Sequence, residues 1–306
     1  MLAVQLVLGG ALLIAASSGF PLLGGGGGGG GDAAGGGGAA APAALVAGAP
    51  RAKVDRFDSA RAWRWLERQV GFGPRPAGSA ASRTLAAALR RALPAGRLQA
   101  LPDGLRNVVG RLPGRRPAVA LAAHYDTKDV PGYLGANDGA SGTAVLLELA
   151  RVLRRSRPAG GPELRFLLFD GEESPPGSSD FYRDGLRGSR PYAARHAREL
   201  RALILLDYVG ERGLSLPRER GSDRVLWERL RSAAQRVGVG ATFPNAVTSG
   251  EVLDDHTPFA RAGVPSIDLI DFDFACFHLV CDDLSVVSQR SLDAVGEAVL
   301  ELLRGL

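Results

Sequence analysis

AVALAAHYDTKDVPGYLGANDGASGTAVLLELARVLRR, residues 118–155, decides how this 306-residue chain is read. Residues 118–123 are an apolar run of strand length, 124–139 are polar and glycine-bearing, and 140–155 place leucine, alanine and valine at helical spacing. A second apolar run, LRFLLF (164–169), follows. Strand, helix and strand in this order form the unit that joins parallel strands.

The alternation continues outward. RNVVGR (106–111), ALILL (202–206) and PSIDLI (265–270) are further strand candidates. Helices are expected over 57–69, 82–92, 140–155, 189–200, 222–237, 255–262 and 289–304, with Asp58 or Ser59 placed to cap the first. We therefore expect a single α/β domain over 54–306, with a mixed, mostly parallel central sheet flanked by helices on both faces. No internal repeat is found.

Ahead of it, residues 2–16 form an apolar run without a charge, ending in Ser17, Ser18 and Gly19. This reads as a signal-peptide core or, to about residue 23, a membrane anchor; a mis-assigned start codon is the plain alternative. Residues 24–50 are almost only Gly, Ala and Pro, too poor in apolar surface to offset their ordering entropy, and 24–53 are expected to be a disordered linker. Leader, tether and domain together predict an extracytoplasmic protein, secreted or attached to a membrane by its N-terminal segment.

The net charge is +5. The arginines lie as solvated helix faces and no basic run is interleaved with aromatics, so nucleic acid is not expected as a partner. Cys276 and Cys281 are the only cysteines, which excludes a disulfide framework. One local bridge stays open, but two small buried residues is the plainer reading, and neither redox compartment is indicated.

Polar residues gather at the carboxyl ends of the strand candidates. His124 and Asp126 follow 118–123, Glu172 and Glu173 follow 164–169, Asp207 ends 202–206, and His278 lies beyond 265–270. In an open α/β sheet those ends line the ligand crevice. Asp138, ahead of the helix that begins near Gly139, reads alone as an N-cap and among the others as a ligand. Adjacent carboxylates such as Glu172 and Glu173 repel in a buried crevice unless a cation offsets them. Zinc does so, one carboxylate binding the metal while its desolvated neighbour shuttles protons. His256 lies at a helix start that Asp254 or Asp255 could cap, and His196 on a polar helix face, so only His124 and His278 are well placed as ligands. The chain has no His-Glu-x-x-His helix, no phosphate-cradling loop and no Gly-x-Ser-x-Gly elbow.

From about residue 60 onward the chain resembles the zinc aminopeptidase and glutaminyl-peptide cyclotransferase superfamily, closest to the cyclotransferase branch. The resemblance is carried by NVVGRLPG (107–114), LAAHYDTK (121–128), ANDGASGTAVLLELAR (136–151), LLFDGEE (167–173), LRGSRPYA (186–193), LLDYVG (205–210), LDDHTPFARAGVPSIDLI (253–270) and FHLVCDD (277–283). It implies the zinc-aminopeptidase fold and an enzyme acting on peptide or protein N-termini.

Carried over residue by residue, it makes Asp138, Glu173 and His278 the zinc ligands and Glu172 the general acid/base. His124 and Asp207 match ligands of a second zinc, bridged by the Asp138 position, with Asp126 orienting His124; the count stays open between one and two. Asp207 and Asp254 would share an acidic network with Glu172. In a cyclotransferase the substrate's α-amine attacks the γ-carbonyl of an N-terminal glutamine and ammonia leaves; in an aminopeptidase Glu172 would activate water against the first peptide bond. DDHTPF, RAGVP and LRGSR favour cyclisation. Against it, the family's Trp-His-Thr reads Phe277-His278-Leu279, which puts Phe277 at the substrate pocket, and SPPGSSDFY (174–182) lacks the tryptophan of the animal enzymes. A metal-free binding domain on a tether is the reading from another class; the full ligand set argues against it.

Overall fold

The computed structural model of the protein describes residues 48–157 and 159–306. The leader over 1–23 and the linker through residue 47 lie outside the described residues. Residues 48–53, expected to end the linker, are laid against the domain. Ala49 is buried in the core, and the Lys53 amide donates to the Val237 carbonyl.

The elements in chain order are α1 (Ser59–Val70), α2 (Ala80–Ala92), β1 (Arg97–Ala100), β2 (Arg106–Leu112), β3 (Arg115–His124), α3 (Ala140–Ser156), β4 (Pro162–Phe169), α4 (Phe181–Asp184), α5 (Ser189–His196), β5 (Leu200–Leu206), α6 (Arg224–Arg236), α7 (Thr257–Arg261), β6 (Ser266–Leu269) and α8 (Gln289–Arg304). Asp58 caps α1, its carboxylate accepting the Arg61 amide. Every expected strand and helix is present, α8 with the expected bounds and the others with shifted ends.

The sheet has six strands in the order β1-β2-β4-β3-β5-β6. β4, β3, β5 and β6 run parallel, while β2 is antiparallel to both β4 and β1. This is the mixed, mostly parallel sheet expected. Its sixth strand, β1, escapes sequence reading because its four residues are exposed or half-buried and too few for their alternation to stand out.

Alternation along β3 sorts its side chains between two layers, as a pleated strand requires. Val119, Leu121 and Ala123 join the larger core with residues of α1, α2, α3, α6 and α8. Ala118, Ala120 and Ala122 face the smaller one with Tyr192 and Ala193 of α5 and Phe259 of α7. Helices therefore cover both faces, and the strands are buried on both sides. Among the described residues no helix is long and apolar enough to cross a membrane.

β3 is the switch point of the topology. The connection through α3 leads to β4 on one side, and the next leads past β3 to β5 on the other. A crevice opens beyond the carboxyl ends of strands whose connections diverge in this way. α3 enters it at very close range, because Gly142 in its first turn lies against the end of β5. A Cβ at Gly142 would collide with the Leu206 carbonyl oxygen. The close approach sets Asp138, before α3, beside Asp207, after β5.

The Gly142 contact is backbone against backbone, so no side chain can yield. Gly142→Ala is expected to lower unfolding stability by about 1–3 kcal/mol, the usual range for an overpacked core. Urea denaturation with both far-ultraviolet and near-ultraviolet readouts measures it; an unchanged midpoint would show that α3 can shift freely.

Candidate metal centre and active site

Four segments converge at the crevice. His124 is the last residue of β3, and Asp138 precedes α3. Glu172 and Glu173 lie on the turn after β4, Asp207 directly follows β5, and His278 lies in the long segment between β6 and α8.

Asp138 joins two ligand groups. On one side His124 Nε2 lies 3.0 Å from Asp138 Oδ1 and 3.3 Å from Asp207 Oδ1. On the other, His278 Nε2 lies 3.8 Å from Asp138 Oδ2 and 3.6 Å from Glu173 Oε1. Within each trio, His124–Asp138–Asp207 and Asp138–Glu173–His278, the candidate ligand atoms fall within 4.8 Å of one another. Glu173 Oε1 is buried with no hydrogen-bond partner, while Oε2 accepts from Lys128 Nζ at 2.8 Å. A buried, unpartnered carboxylate oxygen facing an imidazole and a second carboxylate is the donor set a divalent cation such as zinc takes.

The neighbouring residues fix these groups. Asp126 lies 3.5 Å from His124 Nδ1 and accepts the amides of Glu172 and Glu173, so one carboxylate orients both the imidazole and the acidic turn. The hydroxyls of Tyr133 and Tyr208 donate to Asp138 Oδ2 at 2.5 and 2.8 Å. Asp282 accepts the amides of Asn137 and Asp138 at 2.7 and 3.0 Å. Arg75, fully buried, donates to the carbonyls of Tyr125, Leu134 and Gly135 and so clamps the loop that delivers Asp138. Gly139, at φ 73°, caps α3 in place of Asp138, whose carboxylate is thereby free to turn into the crevice.

Burial governs the protonation of the site. It pushes the Glu173 carboxyl up to about 8, nearby Asp138 adding to the rise and Lys128 opposing it. It also drives Glu172 well above the carboxylate range, with Glu173, Asp254 and Asp255 adding. Asp254 is pushed up to about 7 by burial and by Asp207. Asp138 alone falls below its ordinary range, because His124, His278 and Tyr133 outweigh its burial. Burial and nearby Lys128 and His124 hold the His278 imidazole down, to about 4, against the pull of Asp138. Carboxyls that must stay protonated when crowded in this way gain a counter-charge when a cation binds.

Several details differ from expectation. Neither Asp254 nor Asp255 caps α7 with its side chain; His256 is at the cap position. Both carboxyls are buried instead, and Asp254 groups with His256 and Asp268. His256 lies between Glu219 at 3.5 Å and Asp268 at 3.4 Å, so it is a buried member of the acidic network, not merely a helix-start residue. His196 is half-buried against Tyr192 and Glu199. Cys276 and Cys281 are not two small buried residues: they form a disulfide, with Cys281 exposed. Their spacing was the available signal. Phe277 stacks on Tyr208 with ring centroids 5.4 Å apart and on His278 at 3.9 Å, beside the ligand trio. Sequence reasoning missed Tyr133, Tyr208, Asp282, Arg75 and Asp268: Tyr208, Asp268 and Asp282 lie inside the motifs quoted above and Tyr133 and Arg75 outside them, but in no case does residue type say which partner is reached.

The model of peptidase family M28 matches residues 107–303. Aminopeptidase YwaD of Bacillus subtilis is 33% identical over 192 residues, 59% of this chain and 39% of that protein. A glutaminyl-peptide cyclotransferase of Drosophila melanogaster is 30% identical over 217 residues, 61% of each. The chain thus spans less than two thirds of these relatives' own lengths. Among solved structures, an Acidobacteriales bacterium glutaminyl cyclase superposes with a TM-score of 0.72 at 29% identity, covering 87% of this chain and 98% of that one. A leucine aminopeptidase precursor from Bacteroides thetaiotaomicron also gives 0.72, at 28% identity, covering 83% and 99%.

Without a cation Glu173 holds a proton at neutral pH, and binding must expel it. Affinity for zinc is therefore expected to rise by up to about tenfold per pH unit from about pH 6 to about pH 8 and to level off above. Chelator-competition titrations across that range test this; a flat profile would show that Glu173 is not a ligand.

Proposed function

We propose, from its membership of peptidase family M28, that this chain is a zinc-dependent enzyme of peptide N-termini and most specifically a glutaminyl-peptide cyclotransferase. The observation that carries the reading is Glu172, a buried carboxyl kept protonatable beside the Asp138–Glu173–His278 trio and flanked by Asp254 and Asp255. Similarity to solved glutaminyl cyclases over most of the chain supports cyclisation in particular.

When bound by Asp138, Glu173 and His278, zinc supplies Lewis acidity toward a substrate carbonyl. Glu172 takes a proton from the substrate's α-amine as that amine attacks the γ-carbonyl of an N-terminal glutamine, and returns a proton to the departing ammonia. A carboxyl raised by burial suits both halves of that shuttle near neutral pH. Asp207 and Asp254 share the acidic network that keeps Glu172 protonatable. Phe277, stacked on Tyr208, walls the place where the glutamine side chain would lie, standing in for the tryptophan of related enzymes.

A second reading has its own support. His124, Asp138 and Asp207 form a complete second ligand group with Asp138 shared, the arrangement of a two-metal aminopeptidase. There Glu172 would take the proton of a water that attacks the first peptide bond.

We place the protein outside the cytoplasm, since an exposed disulfide persists in oxidising surroundings. The apolar run over 2–16 fits that placement, by export or by membrane attachment.

One experiment separates the readings. The purified protein with zinc is given a Gln-peptide and a leucine anilide; ammonia with pyroglutamate from the first is the expected result, and anilide cleavage alone would overturn cyclisation. Glu172→Gln is expected to lower kcat by about 10²–10⁴-fold, the usual size of a general acid/base contribution, with zinc still bound. Retained turnover would remove Glu172 from its role.

A further inference from the structure

The segment 270–288 joins β6 to α8 without helix or strand, yet it delivers a ligand of the proposed metal centre. The Cys276–Cys281 disulfide spans His278, with the two Cα atoms 5.5 Å apart and Phe277, His278, Leu279 and Val280 between them. His278 holds φ at 55°, a left-handed conformation that a non-glycine residue keeps only when its surroundings enforce it.

Burial alone does not enforce it. Leu279 and Val280 point outward at 54% and 58% exposure, and Cys281 is exposed as well. Side-chain hydrogen bonding does not either. His124 has Asp126 beside its second ring nitrogen, but among the described residues no hydrogen bond reaches the imidazole of His278. What holds the loop is the packing of Cys276 and Phe277 on Tyr208, Ile270 and Phe274, the ring stack of Phe277 on His278, four turn hydrogen bonds (Phe277 amide to Phe274 carbonyl, Leu279 amide to Cys276 carbonyl, Asp282 amide to Leu279 carbonyl, Asp283 amide to Cys281 carbonyl) and the disulfide, the one covalent tie among them. Beyond Cys281, Asp282 holds the amides of Asn137 and Asp138; ahead of Cys276, Phe274 packs on Tyr208, whose hydroxyl bonds Asp138. The closed loop thus carries one ligand and is tied at both ends to the support of another.

We propose that the Cys276–Cys281 disulfide is the positioning element of His278 and that, at the exposed residue Cys281, it is a redox-modification site through which an external dithiol weakens the metal centre. The inference rests on the metal-centre reading above. A thiolate of the dithiol attacks Cys281 Sγ, the Sγ–Sγ bond breaks, and Cys276 leaves as a thiolate that takes a proton from water. The second thiol of the reductant then displaces Cys281 as thiolate and closes the reductant's own disulfide, leaving two cysteine thiols in the protein. The opened loop loses its covalent closure, and the imidazole of His278 is no longer held toward Asp138 and Glu173.

The test compares zinc affinity, by chelator competition, for the intact protein, for Cys276→Ala/Cys281→Ala, and for protein reduced with a phosphine and capped with iodoacetamide so that free thiols cannot ligate. Thermal melting of the same samples reports whether the core is intact. The expected result is zinc affinity about 10–100-fold weaker in both altered samples, the usual cost of losing support around a metal ligand, with the core still melting cooperatively. Reoxidation of an uncapped reduced sample is expected to restore the affinity, which a general loss of packing would not predict. If the intact protein binds zinc and the altered samples bind within about twofold of it, this inference falls and the metal-centre reading stands. If the intact protein binds no zinc, both fall. Should the double variant not fold, the reduction and reoxidation arm decides.

Discussion

The carboxylate of Asp138 is shared between two sides of one crevice. One oxygen faces His124; the other takes the hydroxyl hydrogens of Tyr133 and Tyr208 and faces His278. A buried charge is stable only when it is partnered, and these partners come from the ends of β3 and β5, the loop before α3 and the segment after β6. The topology of the sheet, the glycine contact of α3 and the Arg75 clamp all serve to bring those groups to one point. Moving any of them leaves a charge or a dipole unmet at the centre of the domain.

The acidic groups around Asp138 divide into two kinds. Asp138 and Glu173 face imidazoles and form the part of the site that suits a cation. Glu172, Asp254, Asp255 and Asp268 outnumber the imidazoles near them, with His256 beside Asp268, and burial raises each of them. Buried groups held near the protonated state are the kind that can move protons, which is the role proposed for Glu172. Cyclisation and hydrolysis both need such a set, which is why the chemistry around the carboxylates is better defined than the bond they act on. On the proposed reading, the choice between the two would fall to residues such as Phe277, which stacks on Tyr208 and His278 beside the ligand trio.

The sheet was legible because its central strands are buried on both faces and read as unbroken apolar runs, as in 118–123 and 164–169. β1 was not, since Arg97–Ala100 is held by backbone pairing to β2 and buries no side chain fully. Ligand candidates were legible from residue type at strand ends. Their supports were not: Asp282 and Tyr208 stand inside matching motifs, but only the folded backbone shows that one holds amides and the other donates a hydroxyl. The cysteines were misread because spacing alone does not tell a bridge from two small buried residues.

The order of these loops along the chain bears on assembly. Candidate ligands appear from His124 through Asp138, Glu173 and Asp207, and His278 comes last, shortly before α8. During synthesis the acidic half of the centre exists before the imidazole that completes it, and α8, which seals the larger core, arrives later still. A chain cut short before residue 278 would carry the crowded carboxylates without the donor that closes around the cation. On the proposed metal-centre reading, metal retention would report whether the C-terminal segment has been made and docked.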